Sequence, residues 1–110
     1  MRKNASSAIA FSKSVWRPRV VEEAIHQFPD VVEVAVIGVS HALQGEVPKA
    51  FVTMKEGVSE DAAALKEFLS HKLSPMELPR DIEFRKELPK TLIGKISKKD
   101  LVEEEEARRT

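Results

Sequence analysis

The sequence has no cysteine. That excludes disulfides, thiolate nucleophiles and cysteine zinc sites, and it is compatible with a reducing compartment. No apolar run is long enough to cross a bilayer, so no transmembrane segment is expected. Neither sign of charge is in excess: 18 lysines and arginines balance 18 aspartates and glutamates. No global basic field advertises nucleic acid, and no acidic surplus suggests a solvating tail. The three histidines, His26, His41 and His71, have no partners at metal-ligand spacing, and no serine stands in a nucleophile elbow. Internal repeats are absent. The start, MRKNASSAIAF, is positive, but its apolar stretch is too short for a secretory signal. Residues 1–21 are rich in serine and base up to the first acid at Glu22, which is also how an organellar transit peptide reads. An unstructured extension over residues 1–17 and a cytoplasmic location are the plainer expectation.

What is present is enough for one domain. At 110 residues with 42% apolar content, the chain buries a real core but cannot also enclose a deep cavity for a long substrate. Pro18 suits the first turn of a helix, where its missing N–H would be unpaired anyway. Val21, Ala24, Ile25 and Phe28 then share one helical face, and Pro29 with Asp30 stops the helix. Residues 31–39 are a β-branched run that reads as a central strand buried on both faces. A polar loop containing Gly45 leads to a second strand over 47–55, with Pro48 near its start, where a missing donor is tolerated. Gly57 turns the chain. Ser59 is the expected N-cap of a second helix, striped by Leu65, Phe68, Leu69 and Lys72. Residues 81–86 form a short strand with Ile82 and Phe84 inward. Ser97 opens a last helix, with Asp100 completing an imperfect capping box. The acidic run 103–106 reads as a solvated, frayed helix end. The expectation is an α+β domain in the order helix-strand-strand-helix-strand-helix, a three-stranded sheet with helices packed on it. The ordered domain spans 18–105, with a frayed tail over 106–110.

The segment richest in chemistry is ELPKTLIGKI, residues 87–96. Pro89 and Gly94 interrupt any helix or strand there. Gly94 permits positive φ and close approach of a ligand, and Lys95 projects an ammonium suited to neutralising phosphate charge. The spacing is not that of a phosphate-cradling P-loop, which needs an earlier glycine and a Ser or Thr where Ile96 stands. On spacing alone, a surface loop with ordinary lysines is the better reading. Arg85, Lys86, Lys90, Lys95, Lys98 and Lys99 cluster in the C-terminal third, but Glu83, Glu87 and Asp100 interleave with them, so a mixed surface is preferred to a nucleic-acid site.

Three stretches in order resemble the C-terminal domain of the AMP-forming acyl-CoA synthetase family, with the flavour of fatty acid and long-chain acyl-CoA ligases. They are PRVVEEAIHQFPDVVEVAVIGV from Pro18, GEVPKAFVTMKEG from Gly45, and LPRDIEFRKELPKTLIGKISKKDL from Leu78. The resemblance implies a role for Lys95 as the adenylation lysine, bridging acid and phosphate oxygens. It implies that Gly45, Glu46, Lys49 and Gly94 lie on the CoA side or beside the lysine. It implies no cofactor held in this chain itself, with ATP, Mg2+, CoA and a carboxylic acid reaching the full enzyme through a large N-terminal adenylation domain as partner. Two features depart from the family pattern. Residues 1–17 show neither the Arg-x-x-Asp or Lys hinge nor its glycine-bearing hairpin, and Val20 stands where an acidic residue is usual. The expectation is therefore a ligase subdomain inactive without its large domain. The alternative is a standalone binding or regulatory module that docks on a separate adenylating domain.

Overall fold

The computed structural model describes residues 16–41, 43 and 45–109. The expected N-terminal extension, read also as a transit peptide, lies outside the described residues apart from its last residues, Trp16 and Arg17. Helix α1, Pro18–His26, starts at its proline and buries Val21, Ala24 and Ile25. Asp30 takes a positive φ of 69°, a conformation Asp tolerates, and turns the chain into strand β1, Val31–His41. Strand β2, Gly45–Met54, returns antiparallel beside it. Helix α2, Ala62–Ser70, follows, then the short strand β3, Asp81–Phe84, and helix α3, Lys98–Arg109. The sheet order is β1-β2-β3, with β3 parallel to β2. This is the small α+β domain expected, in the expected element order.

The helices divide between the two sheet faces. Val34, Val36, Ala50, Val52 and Ile82 join α1 and the α2 residues Leu65 and Leu69 in one core. Ala35, Ile37 and Phe51 join Leu88 and the α3 residue Leu101 in a second core on the opposite face. Alternate residues of β1 and β2 thus feed different cores, as the period of two along a strand requires.

Four expectations need correction. Strand β1 is an edge strand, not the central one; β2 holds the centre. The run Val34, Ala35, Val36 and Ile37 is buried on both faces because helices cover both, so its apolarity reports cover above and below rather than neighbours in the sheet. The cap of α2 is Asp61, whose Oδ1 accepts from the Ala64 N–H at 3.0 Å; the helix begins two residues later than a Ser59 cap would place it. The third strand ends at Phe84 rather than at residue 86. The acidic run in α3 is largely exposed, as expected, but the helix does not fray at 106: it continues to Arg109, and Glu104, Glu105 and Arg108 form ion pairs back to the sheet and to each other.

Candidate functional site

The chain leaves β3, buries Leu88, and then forms a hairpin. Lys90 and Ile96 pair as an isolated antiparallel bridge. Inside that bridge the Thr91 N–H donates to the Lys95 carbonyl at 2.7 Å, and the Gly94 N–H donates to the Thr91 carbonyl at 2.9 Å. The Lys95 N–H donates to Thr91 Oγ1 at 3.2 Å. This is a three-residue hairpin loop, Leu92, Ile93 and Gly94, whose last position needs a left-handed backbone. Gly94 supplies it with φ 86°. The Ser97 N–H donates to the Pro89 carbonyl at 2.8 Å, and Ser97 Oγ accepts from the Asp100 N–H at 3.2 Å, so the hairpin runs directly into the capped start of α3.

Lys95 therefore stands on a well-braced turn, and its side chain is exposed. The neighbouring lysines differ from it. Lys90 Nζ lies 3.1 Å from Glu33 Oε1 and 3.2 Å from the Leu88 carbonyl, which ties the hairpin's base to β1. Lys98 Nζ lies 2.7 Å from Glu22 Oε2, and the same oxygen accepts the Val36 N–H at 2.9 Å, so one carboxylate joins α1, β1 and α3. Among the described residues Lys95 has no ion pair. The loop tip beside it is apolar and open: Leu92 is 106% and Ile93 79% exposed.

The second group of sequence-derived residues separates into two kinds. Gly45 and Glu46 are exposed at the start of β2, Gly45 with φ 79°. The Glu46 side chain lies over Gly38 on β1, so close that a Cβ there would approach its Cδ to 2.4 Å. Lys49 is different: it is 4% exposed, and its ammonium lies 2.6 Å from Glu105, 3.1 Å from Glu83 and 3.4 Å from Asp81. Burial works against that ammonium, but the hydrogen bonds to Glu105 and Glu83 outweigh it and raise its pKa. Its charge is neutralised within the fold, where Lys49 ties β2 to β3 and α3. Glu83 also accepts from Arg108 at 2.7 Å and from Arg85 at 2.7 Å, and Arg85 reaches Glu104 at 2.6 Å. The guanidinium of Arg108, opposed by burial and helped by Arg85 and Lys49, holds the Glu83 carboxyl at about 2.

Sequence reasoning missed this network. Its one visible sign is charge at alternating positions of β3, Asp81 and Glu83, beside a helix dense in acid. It also passed over Leu92 and Ile93, whose apolar character at a hairpin tip is legible once the tip is located. Among the described residues no group of three or more histidines, aspartates or glutamates is placed to hold a metal ion. No described helix is long and apolar enough to cross a membrane.

By geometry, the chain is a small α+β domain that braces one unpaired lysine at the foot of an exposed hairpin. The pattern of the AMP-binding enzyme C-terminal domain matches residues 20–95, and the chain belongs to that family. It is 46% identical over 88 residues to a long-chain-fatty-acid–CoA ligase of Bacillus subtilis, covering 80% of this chain and 16% of that protein. It is 37% identical over 87 residues to the ligase of the same name from Salmonella typhimurium, covering 79% of this chain and 15% of that protein. Among solved structures, an acyl-CoA synthetase of Brucella canis superimposes with a TM-score of 0.78 at 35% identity, over 84% of this chain and 18% of that one. A fatty acyl CoA synthetase of Mycobacterium tuberculosis does so with a TM-score of 0.75 at 33% identity, over 84% of this chain and 18% of that one. The chain thus spans 16% or less of the length of these two curated relatives.

Proposed function

We propose that this domain serves the adenylation step of an AMP-forming acid–CoA ligase, with Lys95 as the residue that meets the reacting atoms. The observation that carries this reading is the contrast among the lysines around the hairpin. Lys90 and Lys98 are committed to carboxylates of the fold, whereas Lys95 is exposed, without an ion pair among the described residues, and fixed in place by its own backbone. A preorganised, uncompensated ammonium suits a reaction in which negative charge moves between oxygens.

In that step a carboxylate oxygen bonds to the α-phosphorus of ATP, the bond to the bridging oxygen of pyrophosphate breaks, and pyrophosphate leaves with the electron pair. The lysine neutralises charge on the acid and phosphate oxygens as it redistributes, and no proton transfer by Lys95 is required. The nucleotide and acid sit on the large domain, so this chain alone makes neither adenylate nor thioester. In the second step the CoA thiol displaces AMP from the acyl-adenylate. Gly45 and Glu46 are the residues offered to the CoA side, while Lys49 holds the sheet and α3 together behind them.

The test joins the domain to the large domain of the Bacillus subtilis relative and runs the two half-reactions separately. Lys95→Ala should lower adenylation by about a hundred- to thousandfold, the loss of roughly 3–4 kcal/mol of transition-state stabilisation. Thioester formation from supplied acyl-adenylate should fall much less. Lys90→Ala should leave adenylation within severalfold of the parent. Equal losses in both half-reactions from Lys95→Ala, or equal effects of the two substitutions on adenylation, would refute the assignment.

A further inference from the structure

The hairpin places its most apolar residues where water meets them fully. Leu92 is 106% and Ile93 79% exposed, the first more open than the reference state for an isolated residue. Nothing in the fold needs them there. The hairpin is closed by the bonds of Thr91, Gly94 and Lys95 and by the Lys90–Ile96 bridge, none of which involves the tip side chains. Two adjacent large aliphatic residues at a rigid, solvated tip lose apolar contact that a polar pair would not forgo. The tip is also continuous with the proposed reacting group: Gly94 alone separates Ile93 from Lys95, so whatever receives the ammonium also receives the tip.

We infer that Leu92 and Ile93 form an apolar anchor that seats in a hydrophobic recess of the large adenylating domain and so positions Lys95 for the first half-reaction. The inference rests on the reading of Lys95 given above. The occupant is a protein surface rather than a lipid one. Two of the lysines flanking the tip, which would help draw it to an anionic membrane, are committed within the fold, Lys90 to Glu33 and Lys98 to Glu22. The chain as a whole carries no net positive charge. Leu92 and Ile93 are positioning residues: they touch the partner, and their effect on chemistry passes through the lysine.

The same fusion with the Bacillus subtilis large domain tests this. Leu92→Ser with Ile93→Ser should leave thermal stability unchanged, because both side chains are already in water. It should lower adenylation about ten- to hundredfold while sparing thioester formation from supplied acyl-adenylate. The conservative pair Leu92→Val with Ile93→Leu should restore adenylation to within severalfold. Hydrogen exchange supplies a readout independent of turnover. A non-hydrolysable acyl-adenylate analogue should protect the amides of residues 91–95 in the parent fusion and not in the serine variant. Full adenylation by the serine variant beside a disabled Lys95→Ala variant would overturn the anchor and leave the lysine assignment standing. An active Lys95→Ala variant beside a disabled serine variant would overturn the lysine assignment and leave the anchor standing. Absence of analogue-induced protection in the parent would overturn the anchor. So would tip-dependent binding of the 110-residue chain to vesicles of phosphatidylcholine and phosphatidylglycerol, which would assign the tip to a lipid surface instead.

Discussion

Lys49→Met isolates what the buried ion network contributes to the fold. The substitution keeps most of the unbranched stem that crosses Phe51, whose ring centroid lies 5.0 Å from the lysine nitrogen, and removes only the charge and its donors. Two charge-assisted hydrogen bonds disappear, to Glu105 at 2.6 Å and to Glu83 at 3.1 Å. Each is worth about 1.5–3 kcal/mol when partly buried. The carboxylates are not orphaned: Glu83 keeps Arg85 and Arg108, and Glu105 keeps Arg108 at 3.1 Å. The Asp81 contact at 3.4 Å adds little, because that side chain is 65% exposed. The expected net loss is about 2–3 kcal/mol, short of the 3–5 seen when a buried charge is left wholly unpaired. Urea titration should show a midpoint lower by roughly 1–2 M at an unchanged slope. A double-mutant cycle with Glu105→Gln should return a coupling of about 1–3 kcal/mol. A Lys49→Met loss under about 0.5 kcal/mol, or a coupling near zero, would show that water satisfies these carboxylates and that Lys49 contributes little to docking α3.

Acid should weaken the domain through Glu83: its folded pKa of about 2 lies below the ordinary 4.5, so its stabilisation is complete above about pH 5 and is lost as pH falls from there through 2. After allowance for solvent screening this amounts to about 2 kcal/mol, and stability-versus-pH curves should flatten over that window in Glu83→Gln; identical slopes would contradict it. Gly94→Ala should destabilise the domain by about 1–2 kcal/mol from its backbone alone, since φ is 86° and nothing lies within 4 Å of the added methyl. Gly94→Asn should lose less, and equal melting temperatures for the alanine and asparagine variants would argue against a backbone cause.

The parts of this fold that are legible in the sequence are those set by short-range physics. Pro18 and the spacing of Val21, Ala24 and Ile25 define α1, and Ser97 marks the cap of α3 three residues ahead of Asp100. The alternation through Ala50, Val52 and Met54 follows one face of β2. The sequence was less informative where two local solutions are nearly equivalent. Ser59 and Asp61 are both good capping residues, and only the backbone path selects Asp61. It was silent where the deciding contact is remote. Lys49 meets Glu83 and Glu105, which lie in β3 and α3, and nothing local distinguishes a lysine anchored by distant carboxylates from one in solvent. The acidic run misled for the same reason: its partners Lys49 and Arg85 lie in other elements. The site itself was half legible. Gly94 and Lys95 declare a turn with a projecting ammonium, but the spacing cannot say that Lys90 and Lys98 are already paired.

The pairing pattern bears on why one lysine in a crowded basic segment is suited to chemistry. An ammonium that is to stabilise charge on a substrate must be uncompensated before the substrate arrives and must not wander. A free lysine on a mobile loop meets only the first condition, and a lysine in a fold ion pair meets only the second. Here the two tasks fall to different residues. Lys90 fastens the hairpin to Glu33 on β1, and Lys98 fastens the start of α3 to Glu22 on α1, so both ends of the segment are held by charge. The Thr91–Lys95 backbone bonds then fix the turn between them. Farther along α3, Glu104, Glu105 and Arg108 tie the helix to the sheet through Lys49, Arg85 and Glu83. The neutralised cations thereby supply the rigidity of the frame, and Lys95, at the turn they brace, keeps an ammonium with no ion pair among the described residues. Substituting Lys90 or Lys98 alone would remove one of several ties and leave the Thr91–Lys95 backbone bonds to hold the turn, whereas substituting Lys95 removes the charge itself.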